Sequence, residues 1–559
     1  MKNKIMIMLI LLGVVSACSE DFTETVEIGS LNPSSLQNAA GIDYALTAAY
    51  STLDGRTNVT SYWTSSGDNW WMDVIADDAH KGSTDGDQQA LFLLETYDWN
   101  SSSNYLAAKW RALYASANRA NAVIDLVSKV TEGDFTNEMA QARFLRGFFY
   151  FELQRMYGYV AYIGETEFAN IEFNQPNTGD VWSQIESDFK FAMENLPAEQ
   201  EDAGRITSWG AEAFLAKAYL YQKKYGEALD LFNDVINKGP YSLLTEYVDN
   251  FRLAGENGPE SIFAIQFDVA GGTFSPNGNT GGTLNFGGPN GWCCGFYQPT
   301  QDLVNAFQTE NGLPLLDTYN QKDVKNDYGI SSGDPFTPST AELDPRLDYT
   351  VGRRGIDYNG WDIHPGKEWI RAGFDDISGP YSPKKNVYQA GEDANMGTGG
   401  WGEQSSGINY NIMRFADVLL MAAECAVETG DLGLALDYVN RVRSRAKNMT
   451  YLKNHPDDSH PAANYKIELY KTFADADFAR KAVRFERRLE LGMEGNRLFD
   501  IRRWGVGPQV MNDYFVNEAR TITNFASKTH PYLPKHDQFP IPLGAIDQSG
   551  GVLTQNPNW

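Results

Sequence analysis

The sequence predicts a mainly α-helical protein, in which tetratricopeptide-like helical hairpins form a scaffold around a loop-rich insertion with short strands. Residues 410–446 carry apolar side chains at helical spacing on both sides of Gly430, which is the pattern of two antiparallel helices. Residues 213–236 repeat this pattern. Between the two hairpins Gly and Pro become frequent and the helical period disappears, so we expect irregular structure there.

The two predicted hairpins match position by position. The apolar stripes of the second hairpin are Ile412, Phe415, Leu419, Ala423 and Ala426, then Leu432, Ala435, Leu436, Val439 and Val442. The gapless matches are Ala216, Gly226, Ala228, Leu229, Asp230 and Asn233 with Ala423, Gly433, Ala435, Leu436, Asp437 and Asn440. Because a helical hairpin cannot bury its apolar face alone, we expect both hairpins to belong to one interrupted array. A chance similarity of two amphipathic pairs is the alternative.

Other helices are predicted by the same apolar spacing. Before the first hairpin they cover residues 41–53, 105–130, 138–157 and 180–196. Residues 65–89 show no sustained period and are predicted to form a loop with one short helical turn. After the insertion, a helix is predicted at 478–498, followed by the sequence RRWG at 502–505 and an extended, proline-containing end.

The bulk composition indicates a globular protein with a large core. Of 559 residues, 42% are hydrophobic, and 46 basic against 73 acidic residues give a formal charge of −27. This charge repels phosphate backbones and disfavours a nucleic-acid partner. Aromatic residues make up 13% of the chain. Many of them lie in Gly-rich or Asn-rich stretches, so we expect some to contact a ligand.

The N-terminus has the pattern of a lipoprotein export signal. Lys2 and Lys4 precede an apolar run at 5–15 that is too short to span a bilayer. The run ends in VSAC at 15–18, which resembles a bacterial lipobox, and the following SED resembles the signal that directs Bacteroidetes lipoproteins to the outer face of the outer membrane. We expect acylation of Cys18 and a lipid-anchored protein that faces the cell exterior. An ordinary signal peptide is the alternative.

The predicted organisation therefore has three parts. Residues 1–17 form the signal peptide, and residues 18–35 form a lipidated N-terminus and tether. Residues 36–559 form one domain, with a helical scaffold at 36–248 and 410–559 and a loop-rich elaboration at 249–409.

The remaining cysteines lack the spacing of a metal site. Cys425 lies among alanines in a predicted helix and is expected in the core. Cys293 and Cys294 are adjacent. Because a disulfide between neighbours is strained, we expect free thiols, with a vicinal disulfide as the alternative.

The sequence predicts that the protein is not an enzyme. It lacks G-x-S-x-G and H-E-x-x-H motifs, and its Gly-rich run at 271–291 lacks the lysine of a P-loop. Asp77 and Asp78 could suggest a glycosidase pair, but adjacent side chains usually point apart, so we expect a solvated acidic loop. No cofactor is predicted. A structural Ca²⁺ is a modest alternative, held by Asp73, Asp77, Asp78, Asp85 and Asp87.

Several motifs together resemble the SusD/RagB family of outer-membrane glycan-binding lipoproteins. They are QARFLRGFFYFELQRMYG, QPTQDLVNAF, DPRL, RFADVLLMAAE, ERRLELGMEGNRLFDIRRWG, FPIPL and QNPNW, in the family's order. The resemblance implies a scaffold of tetratricopeptide-like pairs, a TonB-dependent transporter partner of the SusC type and non-catalytic oligosaccharide binding. The expected function is a cell-surface lipoprotein that captures oligosaccharides and delivers them to this transporter for nutrient uptake. A non-catalytic protein-interaction or adhesion scaffold is the alternative.

The expected glycan site is an aromatic platform in the loops. The resemblance implies contacts from Asn69, Trp70, Trp71, Trp292 and Tyr297. Their aperiodic, polar surroundings add Asp68, Trp361 and Trp401. An indole face packs against the C–H groups of a pyranose, and amides and carboxylates bind its hydroxyls. Arg502 and Arg503 are instead expected to neutralise buried carboxylates or to cap helix carbonyls. The identity of the sugar is not encoded in any of these patterns.

Overall fold

The computed structural model describes residues 36–57, 62–269, 277–279, 288, 294–385, 387–392, 396–398 and 404–559. The predicted signal peptide, the tether and Cys18 lie outside these residues. Within them, no helix is long and apolar enough to cross a membrane.

Helices dominate the part of the chain before the insertion, and the predicted ones are present. They are α1 (Ala39–Tyr50), α2 (Tyr62–Ser65), α3 (Trp70–Ile75), α4 (Gln89–Glu95), α5 (Asn104–Lys129), α6 (Thr136–Tyr157), α7 (Glu165–Ala169), α8 (Trp182–Asn195), α9 (Ser208–Tyr221) and α10 (Tyr225–Lys238). Side-chain caps fix several starts: the Asn38 side chain accepts from Gly41 N at 3.0 Å, and Thr207 accepts from Gly210 N at 3.2 Å.

Helices also dominate the part after residue 414. They are α13 (Phe415–Thr429), α14 (Leu432–Asn448), α15 (Ala476–Leu491), α16 (Arg497–Arg503), α17 (Gly507–Glu518), α18 (Phe525–Lys528) and α19 (Leu543–Gln548), while α11 (Gln301–Ala306) and α12 (Leu347–Thr350) lie within the insertion. Gly430, at a φ of 89°, ends α13, and Asp431 accepts from Leu434 N at 2.9 Å to start α14. The fold-class prediction is confirmed.

The two hairpins are neighbours in one array. Helices α5, α6, α8, α9 and α10 pack in succession, and α10 then packs against α13, which is followed by α14 and α15. Two polar contacts join the hairpins: the Tyr438 hydroxyl donates to Asn233 Oδ1 at 2.5 Å, and Lys217 pairs with Asp417 at 3.3 Å. The insertion therefore interrupts the sequence of the scaffold without interrupting its stacking.

The described strands pair into short antiparallel ribbons. They are β1 (Ala79–Gly82) with β3 (Phe296–Pro299), β2 (Ser261–Ile265) with β12 (Tyr410–Arg414), β4 (Thr309–Glu310) with β5 (Leu313–Pro314), β6 (Val351–Gly352) with β9 (Ser382–Pro383), β7 (Asp357–Tyr358) with β8 (Asp362–Ile363), and β10 (Met396–Thr398) with β11 (Gln404–Ser406). Strand β12 corrects the prediction that Ile412 belongs to the helical stripe. Tyr410 pairs with Ile265, so the insertion begins and ends in one ribbon.

The helix expected at 478–498 is divided by a turn. Helix α15 ends at Leu491 and α16 begins at Arg497, because Met493 and Gly495 adopt left-handed conformations, with φ of 64° and 72°. A Cβ at Gly495 would lie 3.0 Å from the backbone oxygen of Asp68. The turn thus presses against the segment in which the glycan residues were expected.

A buried ion-pair network joins the insertion to the scaffold. Arg414 Nη1 lies 2.8 Å from Glu260 Oε1 and 2.6 Å from Glu490 Oε1, while Arg346 Nη1 lies 2.9 Å from Glu490 Oε2. These side chains are at most 1% exposed. Removing one partner would leave a buried charge uncompensated, so the DPRL, RFADVLLMAAE and ERRLELG motifs hold the fold together.

Candidate binding site

The predicted tryptophan platform of helix α3 is part of the core. Trp70 is 1% exposed and Trp71 is fully buried. The Trp71 ring packs edge-to-face on Tyr105 at 5.5 Å and stacks near Phe539 at 6.2 Å between centroids. Neither indole offers a face to a sugar, so the expectation of an exposed platform is wrong at these two positions. Their apolar area is used in packing instead.

The polar residues expected beside this platform are also buried. Tyr297, which is 1% exposed, donates its hydroxyl to Asp73 Oδ2 at 2.7 Å. Asp68 accepts from Ser66 Oγ, and Asn69 donates to Glu152 Oε2 at 3.4 Å. These contacts are internal, so Asp68 and Asn69 do not offer exposed partners for sugar hydroxyls, and the Tyr297 ring is not part of an exposed platform.

Trp361 is half-buried. It packs against a small cluster formed by Tyr358, Val387, Tyr388 and Ile408, and its indole N–H donates to Tyr388 O at 3.0 Å. Trp292 and Trp401 lie outside the described residues. A glycan-binding role for these three tryptophans stays a prediction.

Asp77 and Asp78 are held by arginines, which corrects the prediction of a solvated acidic loop. Asp77 is fully buried and Asp78 is 1% exposed. Arg488 Nε contacts Asp78 Oδ1 at 2.8 Å, and Arg497 Nε contacts Asp77 Oδ1 at 2.7 Å. Burial alone would raise the pKa of Asp77, but the charges of Arg488 and Arg497 lower it to about 2. In the described part of the chain, no three His, Cys, Asp or Glu residues gather as metal ligands.

Described residues that flank two undescribed segments lie together. The segments are 270–276 and 399–403. A Cβ at Gly397 would lie 3.2 Å from the Val269 side chain, Asn279 N donates to Ser406 O at 2.8 Å, and the Asn279 side chain binds Asp68. We call this region the loop face and define it by Val269, Asn279, Gly397 and Ser406.

Trp63 was not singled out in the sequence. It lies on the four-residue helix α2 and is half-buried against the core. The neighbouring turn is tightly packed: a Cβ at Gly67 would lie 2.7 Å from Ile265 Cδ1, so the turn after α2 lies against β2. The signal was available, because Trp63 lies in a polar, aperiodic stretch like the tryptophans that were chosen.

A polar groove adjoins the loop face. Two cavities of about 250 and 320 Å³ share a wall formed by Ala203, Gly204, Arg205 and Ala264. The Arg205 guanidinium lies over the Tyr50 ring, 4.5 Å from its centroid, and the Asp54 carboxylate accepts from Arg56 N at 2.7 Å. Burial raises the pKa of Asp54 to about 7. This Arg205 groove, named for its central side chain, thus offers a cation, a carboxyl group and an aromatic edge.

A family model described as the SusD family matches residues 259–559, which is more than half of the chain. The chain belongs to the SusD family. A second model, described as starch-binding associating with outer membrane, matches residues 42–220.

Relatives and solved structures agree with this assignment to the SusD family. A SusD-like protein of Bacteroides ovatus is 26% identical and aligns with 81% of this chain and 74% of its own. A SusD-like protein of Formosa agariphila is 25% identical over 100% of both chains. Surface glycan-binding protein A from Bacteroides thetaiotaomicron, in complex with laminarihexaose, has a TM-score of 0.65 at 21% identity and covers 93% of this chain and 99% of its own. These structures show a shared fold.

The two arginines of the RRWG motif in this SusD-family chain have different surroundings. Arg503 Nη2 contacts Glu424 Oε2 at 2.7 Å and Asp500 Oδ1 at 2.9 Å, as predicted. Arg502 departs from the prediction: its guanidinium lies 4.4 Å from the centroid of the Phe539 ring, and none of its three buried nitrogens has a hydrogen-bond partner of normal geometry in the described residues.

The cysteine prediction needs one correction. Cys294 is disulfide-bonded, whereas free thiols were expected at 293 and 294. Cys425 is free and buried, and burial raises the pKa of its thiol. Since Cys425 is free, the disulfide partner of Cys294 lies outside the described residues.

Proposed function

We propose that this SusD-family protein is a cell-surface lipoprotein that binds oligosaccharides without cleaving them and delivers them to a TonB-dependent outer-membrane transporter. The observation that carries the proposal is the pair of family matches, which together cover residues 42–220 and 259–559. The second is described as starch-binding associating with outer membrane. Similarly folded proteins carry the names laminarin binding SusD-like protein and surface glycan-binding protein A.

We place the glycan on the loop face and in the adjoining Arg205 groove. Trp63 supplies a half-buried indole near the groove, since Ser65, two residues further on, donates to Gly55 O at 2.8 Å. Arg205, Asp54 and Gln266 line the groove. Sugar hydroxyls need donors and acceptors of this kind, and a pyranose face needs a ring. Trp292, Trp361 and Trp401 belong to the same proposal. An open site of this type orders little of its ligand, so we expect Kd values on the order of 10 µM to 1 mM.

The absence of catalysis belongs to the proposal as well. Asp77 and Asp78 were the most suggestive acid pair in the sequence, and both are engaged by Arg488. Their burial removes them from any sugar bound on the loop face. Incubation with a bound glycan should therefore leave its chain length unchanged, and new reducing ends produced by the pure protein would refute this part.

A second function, a protein-interaction scaffold, is favoured by one observation. Three apolar side chains from one short stretch are exposed: Tyr159 is 49%, Ile171 is 76% and Phe173 is 44% exposed. Exposed apolar side chains close together in the sequence favour a protein contact. This stretch is compatible with glycan binding elsewhere on the molecule.

The experiment that tests the proposal is a glycan array, probed with the full chain in mild detergent, followed by calorimetry with the strongest glycan. Binding to a defined class of oligosaccharides supports the proposal. Co-purification from native membranes should recover a large transporter. No glycan binding together with recovery of other surface proteins would favour the scaffold function instead.

A further inference from the structure

A basic cavity lies where the C-terminal segment crosses the helical scaffold. It has a volume of about 400 Å³ and contains Arg155, Arg502, Arg503 and Lys535 in its wall, with Asp537 as the single lining carboxylate. The whole chain has a formal charge of −27. The wall, with four cations and one acid, therefore carries a net positive charge on a protein whose overall charge is negative.

Two of these cations are paired with carboxylates outside the cavity wall. Arg503 pairs with Glu424 and Asp500. Arg155 Nη2 donates to the Glu152 carboxylate at 2.7 Å, and its guanidinium lies 3.6 Å from the centroid of the Phe499 ring. These contacts account for the charge of both groups.

The other two cations are not neutralised. No carboxylate of the described residues lies within 4.0 Å of Arg502 or Lys535 among the ion pairs. The Tyr532 hydroxyl, which lies near Arg502, donates to Asp537 Oδ1 at 2.7 Å. The Lys535 ammonium lies over the Trp559 ring at 4.4 Å. Buried charges are normally paired, so the buried guanidinium of Arg502, with the half-buried Lys535 beside the same cavity, indicates a missing anion.

The pKa of the neighbouring His536 is lowered by the same positive charges. His536 is 2% exposed and accepts from Leu533 N through Nδ1 at 2.9 Å. Burial lowers its pKa most, and the charges of Lys535 and Arg502 lower it further, to about 3. A neutral imidazole therefore leaves the two cations without competition for an incoming anion.

We propose that this Arg502 cavity binds an oxyanion, a carboxylate or a sulfate, carried on a ligand of one or two sugar units. Trp182 and Tyr221 in its wall offer aromatic surface, and Gln154 and Gln538 offer amide groups for hydroxyls. The volume lies within the range of small-molecule sites. The nitrogens of Arg502 are covered, so the ligand contacts Lys535 directly, and the charge of Arg502 attracts it through space.

Calorimetry on the full chain in detergent tests the ligand class. The probes are D-glucuronate, D-glucose 6-sulfate, inorganic sulfate and D-glucose, at constant ionic strength because charge contacts are screened by salt. We expect at least one anionic sugar to bind tenfold or more tightly than glucose. If inorganic sulfate binds as tightly as the sugar sulfate, the claim that the cavity recognises a sugar is overturned, and the claim that it binds an oxyanion remains. Failure of all three anions to bind would overturn the proposal.

Two variants locate the binding. Lys535→Gln and Arg502→Met should each reduce the affinity for the anionic sugar at least tenfold. Lys190→Gln is the matched control, because it removes a charge from a side chain that is 62% exposed on another helix, and it should bind as the original chain does. Thermal melting without ligand checks folding. Unchanged affinity in a folded Lys535→Gln variant would refute this placement, while glycan binding at the loop face is measured separately with neutral oligosaccharides.

Discussion

Arg497 holds Asp77 through two parallel hydrogen bonds, from Nε to Oδ1 at 2.7 Å and from Nη2 to Oδ2 at 2.8 Å, across 420 positions of the chain. Arg488 approaches the same carboxylate at 3.2 Å. Bidentate guanidinium–carboxylate pairs fix geometry as well as charge. The pair therefore ties the turn after helix α3 to the start of helix α16 and leaves Asp77 without a free oxygen for acid–base chemistry.

Asp77→Asn should destabilise the fold. Asparagine keeps the shape of the side chain but leaves Arg497 and Arg488 less compensated in the interior, at a cost of about 3 kcal/mol. Urea denaturation measures the free energy of unfolding. The control is Asp457→Asn, because the Asp457 side chain is 95% exposed and its loss should cost almost nothing. Equal midpoints for the two variants would contradict the structural role of Asp77.

Arg502 and Arg503 are adjacent but should respond in opposite directions to substitution by methionine. Arg503→Met leaves Glu424 and Asp500 short of a partner, at a cost of about 3 kcal/mol. Arg502→Met removes a buried charge that no carboxylate compensates and keeps an apolar side chain over Phe539. It should leave the free energy of unfolding unchanged or raise it by about 1 kcal/mol. Similar losses in both variants would show that Arg502 is paired in solution.

His80 should make the fold less stable at alkaline pH. Its ring nitrogens lie 2.8 Å from Glu95 Oε1 and 2.9 Å from Glu518 Oε1. Burial lowers the pKa of His80, but hydrogen bonds and charge from Glu518 and Glu95 outweigh it and raise the pKa to about 9. The folded pKa exceeds the unfolded value of about 6.5, so the stabilisation is complete below pH 6.5 and is lost as pH rises through 9.

The measurement is urea denaturation between pH 6 and pH 9. As His80 loses its proton, the free energy of unfolding should fall by up to about 1.4 kcal/mol per pH unit. Lys109 acts in the opposite direction near pH 8, because burial lowers its pKa to about 8. The comparison with His80→Gln isolates the histidine, since only its contribution disappears. Parallel pH profiles for the two proteins would contradict the raised pKa.

The helical scaffold could be predicted because its signal is local. Apolar side chains with a period of 3.6 residues mark each long helix. The matched hairpins predict one stacked array, and the structure shows α10 packed on α13. The strand β12 was missed because a five-residue run before a helix continues the helix's own apolar spacing. Its partner β2 lies about 150 positions earlier, where no local pattern points to it.

The candidate site was predicted less well for a related reason. Trp70, Trp71 and Asp77 lie in an aperiodic stretch that looks like an exposed loop, yet the turn at Gly495 and the Arg497 side chain cover it. Burial here depends on residues more than 400 positions away. Arg502 was misjudged because its sequence neighbour Arg503 has carboxylate partners that it lacks.

Cys18→Ala should release the protein from membranes. The prediction rests on the apolar run and the VSAC sequence at the N-terminus, because an acylated cysteine is the anchor that this pattern provides. Fractionation of cells followed by protease treatment of intact cells measures both attachment and surface exposure. A variant that stays with membranes in cells without the transporter would refute the lipid anchor.

Trp71→Ala and Trp63→Ala should separate packing from binding. Trp71 is fully buried between Tyr105 and Phe539, so its truncation leaves a large cavity and should cost about 3 to 5 kcal/mol of folding free energy. Trp63 is half-buried and belongs to the proposed glycan site. Its truncation should cost less stability but weaken binding of the strongest array glycan by about 2 kcal/mol, as for an aromatic anchor in an interface.

Calorimetry and urea denaturation on both variants decide between these roles. The matched control is Trp504→Ala, a half-buried tryptophan whose indole N–H donates to Glu424 at 3.1 Å, which should lose some stability and keep its glycan affinity. Full affinity in a folded Trp63→Ala variant would remove Trp63 from the site. If Trp71→Ala instead stays as stable as the original chain and loses only glycan binding, the indole is exposed in solution, and the first prediction of a platform at α3 is restored.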